Sequence, residues 1–196
     1  KPYFEHVHYY VVDEFWYAKE PGTQDMDIPV NKMSMDLKFF QAASIPEERI
    51  HTLRDETVDS FDAAIQQIGG MDMVLMGTDG HFCGNHPGTF TNWNQGCHSI
   101  DRYCTPQVNQ LLEFLLKDDI HSDDVSRIPD HYLTMGPKTI MDAKNIVMIF
   151  SGKGKAETVR RAFFGPVTMD FPVSVFQLHP HVSVLLDEAA ASEIRE

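Results

Sequence analysis

Residues 73–90 read MVLMGTDGHFCGNHPGTF, an apolar run that stops at Gly77 and gives way to an acid and an imidazole two positions apart, Asp79 and His81. An imidazole, with a reference pKa of about 6.5, can both take and give a proton near neutrality. A carboxylate beside it would orient the ring and stabilise its charged form. Gly77 and Gly80 give the backbone the freedom that a tight turn needs, so both side chains can face one cleft. A second acid pair, Asp13 and Glu14, closes the run HVHYYVV, and Lys155 lies in SGKGK immediately before the helical pattern AETVRRAFF. Taken by itself, a lysine at the start of a helix reads equally as a solvated charge.

These groups need elements to hold them, and the pattern supplies short apolar runs alternating with segments of helical period. Strands are expected over residues 6–12, 71–76, 145–150 and 181–187. Helices are expected over 29–43, where Met33, Leu37, Phe40 and Ala43 share one face, and over 59–70, which opens at Asp59 or Ser60 and closes on glycine. In TPQVNQLLEFLLKDD, Thr105 is an N-cap and Pro106 the first helical residue, a start signal that needs no tertiary context. A further helix over AETVRRAFF ends at Gly165 and Pro166, and a helical tail follows the last strand. The expected fold is α/β: three-layer, doubly wound and Rossmann-like, with a mainly parallel sheet. Reactive groups in such folds gather at the carboxyl ends of the strands, where the loops diverge.

Composition narrows the function. At 196 residues, 42% of them hydrophobic, the chain can bury a core of its own, and one domain over 1–196 is expected. Sixteen basic against 29 acidic side chains give a formal charge of −13. This repels nucleic acid and anionic membranes, so a phosphate partner must be met by a local basic site. Cys83, Cys97 and Cys104 are odd in number and follow no Cys-x-x-Cys spacing, which fits a reducing cytoplasm. His179 and His181 alternate along a strand and need not converge, so no metal and no organic cofactor are expected. Met33, Met35, Met71, Met73 and Met76 read as core filler.

TDGHFCGNHPGTF resembles the D-G-H-x-x-x-N-E-P-G segment of the glucosamine-6-phosphate deaminase (isomerase) family. In the same order, VVDEFW resembles the family's M-D-E-Y strand end. YLTMGPKTIMDAKNIVMIFSGKGKAE is similar to its L-T-x-G-x-x-T segment with the strand and G-x-x-K-A that follow. GPVTMDFPVSVFQLHPHVSVLLDEAA is similar to its G-P-V-T and Q-L-H-P-H segment. The match covers most of residues 6–190. Related 6-phosphogluconolactonases share the fold and a D-G-H turn, but Asn85, Pro87, Gly88, the Asp13–Glu14 pair and Gln177 to His181 favour the deaminase side.

The resemblance implies ring opening, aldose–ketose isomerisation and deamination of a hexosamine phosphate by a cytoplasmic enzyme, with a homo-oligomer compatible. His81 would open the ring with Asp79 behind it, and Asp13 would move the carbon-bound proton. Glu14, Gly77, Gly80 and Asn85 would shape the binding site, and Lys155 would meet the phosphate. Two departures stand out. His86 occupies the place of the family's glutamate, where a ring cannot act as a carboxylate acceptor. The family also carries a further βαβ unit with a G-S/T-T-P phosphate loop before its D-E-Y strand, which residues 1–196 are expected to lack. A phosphate-binding arginine is not fixed, with Arg102 and Arg127 both open. The other readings are a lactonase-like hydrolase and a non-catalytic sugar-phosphate sensor.

Overall fold

The computed structural model describes residues 4–22 and 26–194. In chain order the elements begin with strands β1 (Tyr9–Tyr10), β2 (Asp13–Glu14), β3 (Trp16–Ala18) and β4 (Met26–Pro29). Helix α1 (Val30–Met35) runs through a π-helical stretch, Asp36–Phe40, into α2 (Gln41–Ala43), which is followed by β5 (Ile50–His51). Next come α3 (Val58–Gln67), β6 (Val74–Met76), β7 (His98–Asp101), α4 (Pro106–Asp118) and β8 (His131–Thr134). The chain ends with α5 (Pro137–Met141), β9 (Ile146–Phe150), α6 (Ala156–Phe164) and β10 (Val182–Leu186). It divides into two compact units, Lys1–Val58 with Ser99–Thr134 and Asp59–His98 with Met135–Glu196.

In the first unit, the α4 sequence dictates its own start and its buried face. The Thr105 hydroxyl accepts from the Val108 amide at 3.4 Å, and Pro106 opens the first turn. Val108, Leu112 and Leu116 recur every four residues and are all buried. They join Phe15, Tyr17, Val30, Ile100, Ile128 and Tyr132 in one core. The Phe15 and Tyr132 rings stack with centroids 4.9 Å apart, and the buried Tyr17 hydroxyl donates to the Leu112 carbonyl at 2.7 Å. β2 pairs antiparallel with β8, Asp13 opposite Thr134 and Glu14 opposite Leu133, while β1 pairs parallel with β5.

The second unit is built on a parallel sheet in the order β10-β9-β6. α6 connects β9 to β10, turning Ala156, Val159 and Ala162 inward. The Gln177 amide donates to the carbonyls of Ala162 and Gly165 at 2.9 Å each, satisfying the end of that helix. Close packing also forces a glycine at 136, where a Cβ would stand 2.1 Å from the Gly96 carbonyl oxygen. Asp62 of α3 ties this region together, accepting from the Cys97 amide at 2.7 Å and the Thr139 hydroxyl at 2.5 Å. Burial and that carboxylate push the Cys97 thiol up to about 12.

The α/β, Rossmann-like class read from the sequence is the class observed, and the helices and strands expected at 29–43, 59–70, 71–76, 105–118, 145–150, 156–164 and 181–187 are present within a few residues. Two local expectations change. The run 6–12 yields only β1, because Val11 donates its amide to His51 at the end of β5 and the backbone then turns toward β2. The expected helical tail is a series of turns. Asp187, which would cap it, also accepts from the Ser151 hydroxyl at 2.6 Å and the Gly152 amide at 2.8 Å.

One feature of the parallel sheet is open. Pairing places Leu185 beside Ile149 and Leu75 beside Val147 on one face, with Leu75, Ile149 and Leu185 exposed at 58%, 48% and 54%. Among the described residues β6 is paired on one side only. Such a face and edge favour self-association. Replacing all three by threonine, which keeps strand propensity, should lower concentration-dependent association in sedimentation velocity while leaving the far-UV circular dichroism unchanged. Equal association in both proteins would sink this reading.

Candidate active site

Two groups of polar side chains stand at strand ends, one in each unit. In the first, α1 begins after Pro29 without a side-chain cap of its own. Glu14 of β2 fills that need: its carboxylate accepts from the amides of Asn31 at 2.7 Å, Lys32 at 2.9 Å and Phe15 at 3.0 Å. The first-turn N–H groups of a helix have no partner within it, and its dipole favours an anion there. Burial nevertheless pushes Glu14, which has no exposed surface, up to about 7, with the three amides and the neighbouring Asp13 as smaller influences.

Asp13 precedes it and points to the other side of the strand. Its carboxylate accepts from the Asn31 side-chain amide at 2.8 Å, and the same amide donates to the Asp13 carbonyl at 2.9 Å. Burial pushes Asp13 up to about 6, against the pull of Asn31. A carboxylate oriented by one amide and titrating close to neutrality is suited to take a proton from carbon. Asn31 was not singled out in the sequence. Its only signal is position, at the second residue of a helix that follows a proline.

In the second unit, β6 ends at Met76 and the chain enters the Gly77–Gly88 loop. The Thr78 hydroxyl closes the turn, accepting from the Gly80 amide at 3.0 Å and donating to the His81 carbonyl. Gly80 has φ +124°, and a Cβ there would lie 2.4 Å from the Phe171 ring, so this position admits only glycine. Gly77 is limited more mildly, by the Ile149 carbonyl oxygen at 3.2 Å from an added Cβ. His81 is half-buried, and its ring stacks on that of His86 with centroids 3.8 Å apart and planes tilted by 21°.

Asp79 does not bond to the His81 ring. Its exposed carboxylate pairs with the Lys155 ammonium, which also donates to the Thr78 carbonyl at 3.3 Å. Burial lowers the pKa of His81, the charge of Asp79 raises it from a distance, and Lys155 lowers it again. His86 is pushed down to about 4 by burial, with the charge of His81 adding to the effect. Asn85 is wholly buried, its amide nitrogen donating to the carbonyls of Phe82 at 3.0 Å and Met135 at 2.8 Å, while its buried oxygen has no hydrogen-bond partner among the described residues. Thus Asp79, His81, His86 and Lys155 share one neighbourhood, Asp13, Glu14 and Asn31 another, and Asn85 anchors the loop from beneath.

The remaining candidates have other employment. Arg102 bonds to Asn109 and the Ile128 carbonyl, and Arg127 to the carbonyls of Ala18 and Lys19. His179 is buried, with Nε2 paired to the Ala143 carbonyl at 2.8 Å and Nδ1 accepting from the His181 amide at 3.1 Å. Among the described residues no group of three or more histidine, cysteine, aspartate or glutamate side chains is placed to hold a metal ion.

The structure thus combines a parallel α/β sheet of Rossmann-like class, an Asp-Gly-His turn beyond β6, a lysine before α6 and an acid pair in β2. No protein-family model matches the chain. The glucosamine-6-phosphate deaminase of Arthrobacter sp. (strain FB24) is 32% identical over 201 aligned positions, covering 98% of this chain and 71% of that protein. The corresponding proteins of Rhodococcus jostii (strain RHA1) and Rhodococcus opacus (strain B4) are 36% and 41% identical, with 60% and 49% of their lengths covered. A solved monomeric glucosamine-6-phosphate deaminase superposes with a TM-score of 0.72 at 28% identity, covering 97% of this chain and 76% of that one. A 6-phosphogluconolactonase from Trypanosoma cruzi shares the fold, with a TM-score of 0.61 at 16% identity. The chain belongs to the glucosamine-6-phosphate deaminase family, and it spans roughly half to 60% of the length of the Rhodococcus relatives.

The buried acid pair has a thermodynamic signature. Glu14 is raised from its ordinary 4.5 to about 7 and Asp13 from 3.8 to about 6, so the folded protein holds protons that the unfolded chain would release. Their stabilising contribution is present below those ordinary values and is lost as pH rises toward 6 and 7. Urea unfolding should therefore show stability falling through that window, and Glu14→Gln should flatten the fall. The same substitution turns an amide toward the Lys32 N–H and should cost about 1–3 kcal/mol at pH 5. An unchanged slope would exclude Glu14 as its source.

Proposed function

We propose that the protein acts as a glucosamine-6-phosphate deaminase, converting a hexosamine phosphate and water to a ketose phosphate and ammonia. Family membership supports this reading, and the observation that carries it is the Asp13 carboxyl, held by Asn31 and tuned to about 6. In the proposed sequence His81 takes the proton of the anomeric hydroxyl and returns it to the ring oxygen, opening the ring. Asp13 then removes the proton from the amine-bearing carbon and delivers it to the neighbouring former aldehyde carbon, while a proton passes from the amine to the aldehyde oxygen, leaving a hydroxymethyl group and an imine that water hydrolyses to the ketone with loss of ammonia. Asp79 tempers the charge of His81, and Lys155 turns from Asp79 to the substrate phosphate. Gly77 and Gly80 keep the turn close to the sugar, while Glu14 and Asn85 hold the two loops in shape.

Residues 1–196 are proposed to serve as one functional domain, since the relative from Arthrobacter aligns with 98% of the chain. The proposed setting is the cytoplasm, where the free thiols of Cys83, Cys97 and Cys104 would persist. Among the described residues no helix is long and apolar enough to cross a membrane. The charge of −13 speaks against nucleic acid as a partner.

Ammonia release from glucosamine 6-phosphate, followed with a coupled dehydrogenase, tests the reading. Asp13→Asn should lower turnover by about 10²- to 10⁴-fold. Hydrolysis of 6-phosphogluconolactone that survives this substitution would instead mark a lactonase. Thermal stabilisation by the sugar phosphate without turnover would mark a sensor. Lys155→Met should act mainly on substrate binding, raising KM by about 10- to 100-fold through loss of a charge-assisted contact with the phosphate. A KM unmoved by this change would remove Lys155 from the phosphate site.

A further inference from the structure

We propose, resting on the reaction just described, that His86 is a positioning residue: its ring, stacked on His81, fixes the plane of that imidazole and denies it a carboxylate partner, so that His81 meets the substrate as an uncharged base. The geometry carries this. Two imidazoles with centroids 3.8 Å apart and nearly parallel planes cannot both hold a proton without strong repulsion, so the pair holds at most one. The other charged groups facing His81 are the Asp79 carboxylate and the Lys155 ammonium, which are paired with each other and so oppose one another's effect on the ring. His86 itself is held in place by its backbone. Its amide donates to the Gly84 carbonyl at 2.9 Å, and its carbonyl accepts from the Thr89 amide at 3.1 Å and hydroxyl at 2.9 Å.

For ring opening the consequence is an order of events. Neutral His81 first takes the proton from the anomeric hydroxyl as the bond from the anomeric carbon to the ring oxygen breaks and the carbonyl forms. The resulting imidazolium then gives that proton to the departing ring oxygen. His86 exchanges no proton with the substrate.

NMR titration of the histidine Cε1–H signals tests the proposal without reference to turnover. Replacing His86 by glutamate should raise the His81 midpoint by about one pH unit or more, since an opposite charge at this distance favours the imidazolium. Replacing it by phenylalanine keeps a stacking ring without charge and should leave the midpoint within about half a unit of the wild type. A His81 midpoint that does not move in His86→Glu overturns the proposal. Should that variant fail to fold, the wild type decides: His86 should titrate about one unit or more below His81, and coincident midpoints would overturn the pair. A protein that shows these shifts but releases no ammonia keeps the histidine pair and loses the deaminase reading. Ammonia release with an unmoved midpoint does the reverse.

Discussion

A carboxylate without exposed surface is tolerable only if donors meet it, and in this protein that requirement organises the acid pair. Glu14 could not sit in β2 with no exposed surface unless the first turn of α1 brought two backbone N–H groups to it, and α1 has no other cap. The two needs answer each other. Once the strand end and the helix start are locked together, Asn31 is held where its side chain reaches back to Asp13. The position of Asp13 is therefore a by-product of a buried capping interaction, in which Glu14 at the helix start fixes the acid beside it.

The second group of residues shows a different economy of charge. The protein carries 29 acidic side chains against 16 basic ones, so a lone ammonium near a strand end will find a carboxylate. Lys155 finds Asp79, and the pairing leaves His81 without a hydrogen-bonding acid. Burial is the first cause that biases both rings toward neutrality. For His86 the charge of His81 adds to it, whereas for His81 the Asp79 carboxylate opposes it and Lys155 adds to it.

Much of this was written locally in the chain. The Thr105–Pro106 start, the four-residue spacing of Val108, Leu112 and Leu116, and the apolar runs at 146–150 and 182–186 each signal an element without tertiary information. Strands β3, β4, β7 and β8 escaped because three or four residues hold too little periodicity, and their pairing is set by distant partners such as Thr134 for Asp13. The same distance hid Asn31 as the holder of Asp13 and turned Asp79 from His81 to Lys155, 76 residues away. The division of the chain at Val58, His98 and Thr134 leaves no mark in composition. The candidate groups could be named from type and order, whereas their immediate partners depend on which elements meet.

Why the chain can carry a histidine at position 86 and still keep this loop follows from Asn85. Its amide, buried and bonded to Phe82 and Met135, fixes the loop from below, and the backbone bonds of Gly84, His86 and Thr89 close it above. None of these bonds uses the side chain at 86. A change there alters the electrostatics around His81 without removing a bond that shapes the loop, while a change at Asn85 would remove the two side-chain hydrogen bonds to the Phe82 and Met135 carbonyls. Adjacent residues thus separate two duties, the loop resting on Asn85 and the ring stacked on His81 coming from residue 86, so the surroundings of His81 can change while the architecture stays fixed.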